Sequence, residues 1–194
     1  MRLGRRLCHI GSLMATLALV GGAIGIHAGT INSSWKGGTG NWSVPADWTN
    51  GVPNNGGGNV YNATIDSGGS DLVSLDIHAT IASLVLGGTS GSSTLQNLLG
   101  KAESFEVTGA TTINRTGVLT FGNSSALKFD GGLTAGGQFN LNGATATIGG
   151  SGTWKSGSSA DISGGSTLTV NGTLTNSSPA FTQGIPTVVG TRSR

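Results

Sequence analysis

The side chains able to catalyse a reaction are few: the 194-residue chain has eight acidic residues and three histidines. Asp66, Asp71 and Asp76 form the densest acidic group. A glycoside hydrolase needs two carboxylates across a cleft, and a polysaccharide lyase needs a calcium-binding acidic cluster near a base. The five-residue spacing of these aspartates does not by itself place them on one face. A polysaccharide lyase or hydrolase is therefore the third of three functions that we consider.

Glu103 and Glu106 form a second acidic pair. In the repeat described below, Glu106 takes an outward position and Lys128 follows it one turn later, which predicts an opposite-charge pair on a solvated wall. His78 is the single histidine after residue 28 and has no cysteine near it, so a transition-metal site is not expected. We predict no catalytic residue, no metal ligand and no cofactor.

Three tryptophans, Trp35, Trp42 and Trp48, are seven and six residues apart among glycines and prolines. Large rings of this kind either cover the open end of a stacked core or stack on sugars. The first hypothesis makes them an N-terminal cap. The second makes Trp35, Trp42 and Trp48 the ligand-binding platform of a carbohydrate-binding module. Buried rings favour the cap, whereas exposed, coplanar rings favour the platform. We expect Trp154 at a corner or on the surface.

The N-terminus has the pattern of a secretory signal peptide, residues 1–28. Arg2, Arg5 and Arg6 form a basic head, residues 13–26 are apolar and small, and Ala28 closes a cleavage site. Without residues 1–28 the formal charge falls from +2 to −1, because three arginines leave. The basic charge therefore does not indicate nucleic acid as a partner, and we expect no membrane span after signal cleavage.

A small unit recurs between residues 105 and 170: an apolar–polar–apolar triplet followed by a few Gly, Ser, Asn or Thr residues. The triplets are Phe105-Glu106-Val107, Leu119-Thr120-Phe121, Leu127-Lys128-Phe129, Phe139-Asn140-Leu141, Ala146-Thr147-Ile148, Ala160-Asp161-Ile162 and Leu168-Thr169-Val170. Alternation at period two predicts strands with one buried face, and repetition at a fixed interval predicts a solenoid.

The intervals define how the turns stack. The middle residues Glu106, Lys128, Thr147 and Thr169 recur about every 20 positions, and weaker strands lie near Thr112, Leu133 and Trp154. Three short strands per turn predict a right-handed parallel β-helix with Leu119, Phe139 and Ala160 in one inner column and Phe121, Leu141 and Ile162 in another. An antiparallel β-sandwich with short hairpins is the alternative fold.

This pattern divides the chain into four parts. Residues 1–28 are the signal peptide, 29–80 form the Trp/Gly-rich cap and first strands, 81–180 form the solenoid turns, and 181–194 form a C-terminal tail. The chain after residue 28 contains no cysteine, so no disulfide can form there and stacking must supply the stability.

The N-terminal block resembles a known family. The residues that carry the resemblance are Trp35-Lys36-Gly37-Gly38-Thr39-Gly40-Asn41-Trp42-Ser43, Ala46-Asp47-Trp48, Gly51-Val52-Pro53-Asn54, Ala63-Thr64-Ile65-Asp66, Val73-Ser74-Leu75-Asp76 and Ile81-Ala82-Ser83-Leu84-Val85-Leu86-Gly87-Gly88. They are similar to the N-terminal region of bacterial secreted β-helix proteins with autotransporter-associated β-strand repeats, which are autotransporter-passenger-like and often carry a PEP-CTERM sorting tail. The resemblance implies an exported, surface-associated, non-catalytic solenoid.

The sequence thus predicts a secreted, non-catalytic structural or adhesive β-solenoid of the bacterial cell surface or extracellular matrix. Its expected partners are extracellular polysaccharide or other surface proteins. The carbohydrate-binding module and the carbohydrate-active enzyme stay open as alternatives.

Overall fold

The computed structural model describes residues 29–97, 99–183 and 189–193. In chain order, its strands are β1 (Gly29–Ser34), β2 (Thr39–Asn41), β3 (Asn59–Ile65), β4 (Ser70–Leu75), β5 (Ala79–Ile81), β6 (Ser83–Leu86), β7 (Ser92–Asn97), β8 (Ser104–Val107), β9 (Thr111–Ile113), β10 (Gly117–Gly122), β11 (Ala126–Phe129), β12 (Leu133–Ala135), β13 (Gln138–Asn142), β14 (Thr145–Ile148), β15 (Gly152–Trp154), β16 (Ser159–Ser163), β17 (Thr167–Asn176), β18 (Ala180–Gln183) and β19 (Val189–Ser193). One 3₁₀ turn, Pro45–Asp47, lies between β2 and β3.

The strands form three faces around a common core. Face 1 contains β1, β3, β6, β9, β12, β15 and the C-terminal part of β17. Face 2 contains β2, β4, β7, β10, β13, β16 and β18. Face 3 contains β5, β8, β11, β14 and the N-terminal part of β17. Because β17 runs unbroken around one corner, faces 1 and 3 are joined into a single sheet there.

Each coil of the chain passes through faces 1, 2 and 3 in that order, and five such coils can be traced in the described residues: β3–β5, β6–β8, β9–β11, β12–β14 and β15–β17. Neighbouring strands within every face run parallel, and each strand pairs with the corresponding strand of the next coil. This confirms the predicted parallel β-solenoid. The alternative of an antiparallel β-sandwich is wrong, because among the described residues only the isolated bridges Trp35–Trp48 and Gly56–Asn59 are antiparallel.

The register matches the predicted inner columns. Leu119 pairs with Phe139 and Phe139 with Ala160, while Phe121 pairs with Leu141 and Leu141 with Ile162. All six side chains are buried. Side chains of different size, Leu, Phe and Ala, follow one another along the first column, which suits close packing in a narrow interior. Each buried Leu, Ile or Phe contributes about 1.5–3 kcal/mol relative to an exposed side chain.

An outer column also behaves as predicted. Glu106 pairs with Lys128, and their charged groups lie 2.7 Å apart. The Lys128 Nζ also lies 3.0 Å from the Asp130 carboxylate. Hydrogen bonds to Glu106 first and Asp130 second raise the pKa of Lys128. Since this triad lies on a solvated wall, it selects the register of neighbouring coils more than it stabilises the fold.

The corners between faces need close backbone approach. At Gly137, which joins faces 1 and 2, an added Cβ atom would lie 2.2 Å from the carbonyl oxygen of Gly117 and 2.3 Å from that of Asn114. Both contacts are with backbone of the preceding coil, which cannot move without breaking the stack. Glycine at this corner is therefore a requirement of stacking.

The sheets are continuous across residues 80 and 81, where the cap and first strands were divided from the solenoid turns. Strand β5 spans residues 80 and 81, and β1 already pairs with β3 in parallel, so the first strands belong to the same stack as the later coils. Residues of the expected tail form β19 and most of β18, and both strands join the stack. The predicted signal peptide, residues 1–28, lies outside the described residues.

Substitution of Gly137 by alanine should lower the free energy of unfolding by about 1–3 kcal/mol, because overpacking against a neighbouring backbone strains the stack. The measurement is urea unfolding followed by tryptophan fluorescence. Gly56→Ala is the matched control, since a Cβ atom there meets nothing within 4 Å. It should change stability by less than about 0.5 kcal/mol. Equal midpoints for the two variants would contradict the close approach at this corner.

Candidate functional site

The tryptophan block folds back over the N-terminal end of the stack. After β1, the backbone N–H of Trp35 continues the parallel pairing by donating to Thr64. The segment that follows the 3₁₀ turn returns alongside, so that Trp35 and Trp48 form an antiparallel bridge. Backbone hydrogen bonds from Lys36 to Asp47 and from Thr49 to Ser34 hold the two segments together. The block is thus a small backbone-paired lid.

The three indole rings of this lid are buried and pack edge to face. Trp35, Trp42 and Trp48 are 3%, 0% and 1% exposed. The ring of Trp48 lies 5.2 Å from that of Trp35 and 4.8 Å from that of Trp42, at interplanar angles of 79° and 64°. Each indole N–H donates to a backbone carbonyl: Trp35 to Gly38, Trp42 to Pro53 and Trp48 to Trp42.

Trp42 reaches through the first coil into the second. Its ring lies 5.5 Å from that of Phe105, a residue of β8. In the first coil, the position paired with Phe105 is Ala79, whose methyl group leaves room for the indole. The lid therefore inserts into the core, and Trp42 is the residue of the lid that reaches deepest.

This arrangement does not match a sugar platform. Stacking on a sugar needs an open ring face, and the faces of Trp35, Trp42 and Trp48 are covered by one another and by the coils beneath. The predicted ligand-binding role of these three residues requires a surface that the structure does not present. Their geometry is that of the cap.

The prediction for Trp154 is wrong. Its side chain is fully buried in β15, 5.9 Å from the ring of Phe139 and nearly perpendicular to it. The space comes from Gly152, two residues earlier on the same side of the strand, where a Cβ atom would lie 2.8 Å from the indole. Gly152-Thr153-Trp154 follows the alternation of the other strands, which was the overlooked signal.

The acidic residues of the densest group hold corners of the coil. Asp71 is 3% exposed and accepts hydrogen bonds from the backbone N–H and hydroxyl of Ser67 and from the hydroxyl of Ser93 in the next coil. Burial disfavours its charge, but these hydrogen bonds, with a further one from the backbone of Gly38, prevail and lower the pKa of Asp71. Its carboxylate is thus saturated by structural donors.

The other two aspartates act in separate places. Asp76 accepts hydrogen bonds from the backbone N–H and hydroxyl of Ser43, which ties the tryptophan lid to the first coil. The Asp66 carboxylate packs against Gly88, where an added Cβ atom would collide with it at 2.1 Å. The three aspartates therefore serve three different corners or joints.

His78 and Glu103 meet at the corner before β8. The Nδ1 atom of His78 accepts a hydrogen bond from the backbone N–H of Ser104 and lies 3.3 Å from the Glu103 carboxylate. An imidazole nitrogen cannot accept and donate at once, so the neutral ring carries its proton on Nε2. Glu106 points elsewhere, toward Lys128 and Thr80. The structure does not bring Glu103 and Glu106 together as a catalytic pair.

A shallow cleft of about 350 Å³ lies on the outer side of face 3, between Thr80 and Thr147. Glu106 is the single carboxylate among the described residues that line it. Glycoside hydrolysis needs a second carboxylate about 5–9.5 Å away across the cleft. The Asp130 carboxylate, 3.0 Å from the same Lys128 ammonium group, is not among the described lining residues, and both carboxylates share that one cation.

Face 1 carries an outward column of hydroxyl-bearing and β-branched side chains, one per coil. We call this column the threonine wall; its members are Ser34, Thr64, Val85, Thr112, Thr134, Thr153 and Thr175. Parallel pairing spaces them by one strand separation, about 4.8 Å. The wall was not predicted at these positions, because its strands are short and their triplets weak.

A cleft of about 450 Å³ lies beside the threonine wall at the corner between faces 1 and 2. We call it the corner notch; its lining residues are Ile113, Asn114, Arg115, Gly136, Lys155, Ser156 and Gly157. Sequence reasoning missed it. The signal in the sequence was a basic residue at the corner after a face 1 strand: Arg115 in one coil and Lys155 two coils later. In the coil between them, the corner consists of Gly136-Gly137 alone.

Two further site types are not seen in the described part of the chain. No group of three or more His, Cys, Asp or Glu residues there is placed to hold a metal ion. None of the helices in that part is long and apolar enough to cross a bilayer.

Comparison of the chain with protein-family models, with curated proteins and with solved structures finds no significant match.

Replacing Trp42 by alanine should lower the free energy of unfolding by about 3–5 kcal/mol, because it leaves a cavity and removes a buried hydrogen bond to Pro53. The measurement is thermal unfolding by circular dichroism. Val44→Ser, in the same block but 36% exposed, is the control and should have little effect. A stable Trp42→Ala protein would show that the lid does not close the core.

Asp71→Asn should lower stability by about 2 kcal/mol at pH 7, since it removes a charged acceptor of several hydrogen bonds. The folded pKa of Asp71 lies below its ordinary 3.8, so the stability it contributes is present above that pH and is lost as the pH falls toward the folded pKa. Urea midpoints of wild type and variant should therefore stay apart between pH 7 and about pH 4 and approach each other only as the pH is lowered below 3.8. Asp161→Asn, at an exposed position, is the control. A constant gap between wild type and Asp71→Asn at all pH values would refute this account.

Proposed function

We propose that this chain is a secreted, non-catalytic structural and adhesive β-solenoid of the bacterial cell surface or extracellular matrix. The single observation that carries the proposal is the threonine wall: a straight column of outward side chains, repeated once per coil on a rigid stack. A repeating surface suits a repeating partner, because the same contact can form at every coil. Extracellular polysaccharide and the surfaces of other matrix proteins have that character.

The carboxylates support the non-catalytic part of the proposal. Asp71 and Asp76 accept hydrogen bonds that fix corners, and Glu106 is held between Thr80 and Lys128. A catalytic acid or base has to be free to exchange a proton with substrate. Groups committed to structural donors are poorly placed for that role.

The secreted part of the proposal draws on the sequence. The signal-peptide pattern of residues 1–28 and the resemblance of the tryptophan–glycine block to bacterial surface β-helix proteins agree with an exported scaffold. The buried lid agrees with it too, because an exposed solenoid end would invite association through unpaired strand edges.

The test compares two faces of one protein. Thr112→Val/Thr134→Val/Thr153→Val removes three hydroxyl groups from face 1 while keeping side-chain shape. Thr80→Val/Thr147→Val/Thr169→Val does the same on face 3 and is the matched control. Binding of the full chain to an array of bacterial extracellular polysaccharides should weaken about tenfold or more for the face 1 variant, at about 1 kcal/mol per lost hydrogen bond. The face 3 variant should bind like wild type.

The same samples test for catalysis. Incubation with each bound polysaccharide should release neither reducing ends nor unsaturated sugars. Release of either product would overturn the non-catalytic role. Equal binding by wild type and the face 1 variant would show that the threonine wall is not the adhesive surface.

A further inference from the structure

The corner notch spans three consecutive coils. Pairing places Ile113, Ala135 and Trp154 in one column, so the residues that follow them, Asn114, Gly136 and Lys155, stack at the corner. The backbone N–H of Lys155 donates to Ala135, and that of Gly136 donates to Ile113. The notch is therefore built by the same register as the core, which fixes its width.

A difference in corner length creates the notch. The middle coil turns from β12 to β13 through Gly136 and Gly137 alone. The coil before it uses residues 114–116, and the coil after it uses residues 155–158. Two longer corners thus flank a short one without side chains, and the space between the longer corners is the corner notch.

Arg115 projects from the tip of the first long corner, and the residues on both sides of it are anchored. The side-chain amide of Asn114 donates to the carbonyl of Gly87 at 2.6 Å. The hydroxyl of Thr116 accepts from the backbone N–H of Gly88 at 2.9 Å. The Arg115 side chain itself is exposed. The backbone of Arg115 is thereby held in place, while its guanidinium group is open to contact with a ligand.

Lys155 is the first residue of the second long corner and lies in the column of Asn114. The preceding Trp154 is fully buried, and the hydroxyl of Ser158 donates to the Lys155 carbonyl at 2.7 Å. The Lys155 side chain is exposed. Two coil spacings separate the backbones of the two corners, about 10 Å, so both cations can reach one group seated between them.

The notch is electropositive. No acidic residue is among its described lining residues, and neither Arg115 nor Lys155 forms an ion pair with any residue that the structure describes. Residues 29–194 carry a formal charge of −1 overall, so two neighbouring cations without a carboxylate are a local feature. Fixed cations around a concave surface attract anions.

We propose that the corner notch binds the acidic groups, carboxylate or sulfate, of an extracellular polysaccharide. Arg115 supplies a planar fork for the two oxygens of such a group, and Lys155 supplies a point charge from the opposite side. Thr134 lies two residues before Gly136, at the edge of the notch, so the sugar hydroxyls would run along the threonine wall.

Other anionic polymers fit this surface less well. Single-stranded nucleic acid is held by aromatic stacking together with a long basic track. The notch lining contains no aromatic ring and two cations. A polysaccharide with widely spaced acidic groups needs neither feature. The inference rests on the proposed adhesive role and names its ligand class.

The test measures binding of the full chain to immobilised dextran sulfate, polygalacturonate, neutral dextran and single-stranded DNA at low salt. The two acidic polysaccharides should bind, and neutral dextran should bind much more weakly. Arg115→Gln and Lys155→Gln should each weaken binding about fivefold, and the double variant about 25-fold. Lys101→Gln removes one exposed charge at another corner and should leave binding unchanged.

A second variant keeps both charges and fills the space. A Cβ atom at Gly136 would make ordinary contacts, at 3.5–3.9 Å, so Gly136→Leu should fold normally. It should still weaken binding about fivefold by occupying the notch. Thermal unfolding of each variant confirms that the fold is intact.

The proposal would be overturned by an effect of Lys101→Gln equal to that of the notch variants, by unchanged binding of Gly136→Leu, or by tighter binding of DNA than of the polysaccharides. Failure of the acidic polysaccharides to bind, with adhesion to the polysaccharide array retained, would reject the notch and leave the adhesive role standing. Loss of binding by the face 1 valine variant alone would assign adhesion to the threonine wall.

Discussion

In-register parallel pairing is the constraint on which the rest of this structure depends. Each residue lies directly over its counterpart one coil away, as Lys128 does over Glu106. A slip of one residue would turn every inner side chain of a strand outward, so the buried columns enforce the register strongly. Core packing, corner geometry and the outer columns are all consequences of that single alignment.

The same constraint explains the use of aromatic residues. Rings cannot be stacked at every coil of a narrow interior, so they occur where a neighbouring position is small. Trp42 enters above Ala79, and Trp154 lies across Gly152. Above the first coil of the described residues, β1 and β2 continue faces 1 and 2, and three indoles with a folded-back segment cover the core beside them. The cap is thus a substitute for stacking.

Polar residues divide into two groups by position. Those at corners, such as Asp71 and Asn114, bond to backbone or to the next coil and hold the stack together. On the faces, some polar side chains bond to one another across coils, as Lys128 and Glu106 do, and others are open to solvent. Because faces are regular while corners vary in length, a regular wall and an irregular notch arise side by side on one surface. We propose the wall as the contact for a repeating chain and the notch as the site for a charged group on it.

The amino-acid sequence determined the alternation, the interval of about 20 residues and therefore the parallel stack, the inner columns and the Glu106–Lys128 pair. These follow from local pattern, since strand periodicity and repeat length are properties of neighbouring residues. The alternation of Gly152-Thr153-Trp154 also carried the burial of Trp154. Tertiary structure alone decided the separation of Asp66, Asp71 and Asp76 and the placement of Arg115 and Lys155 around one notch. Each of these depends on corner length and on the size of a residue one coil away, and such distances through space are not encoded in the spacing along the chain.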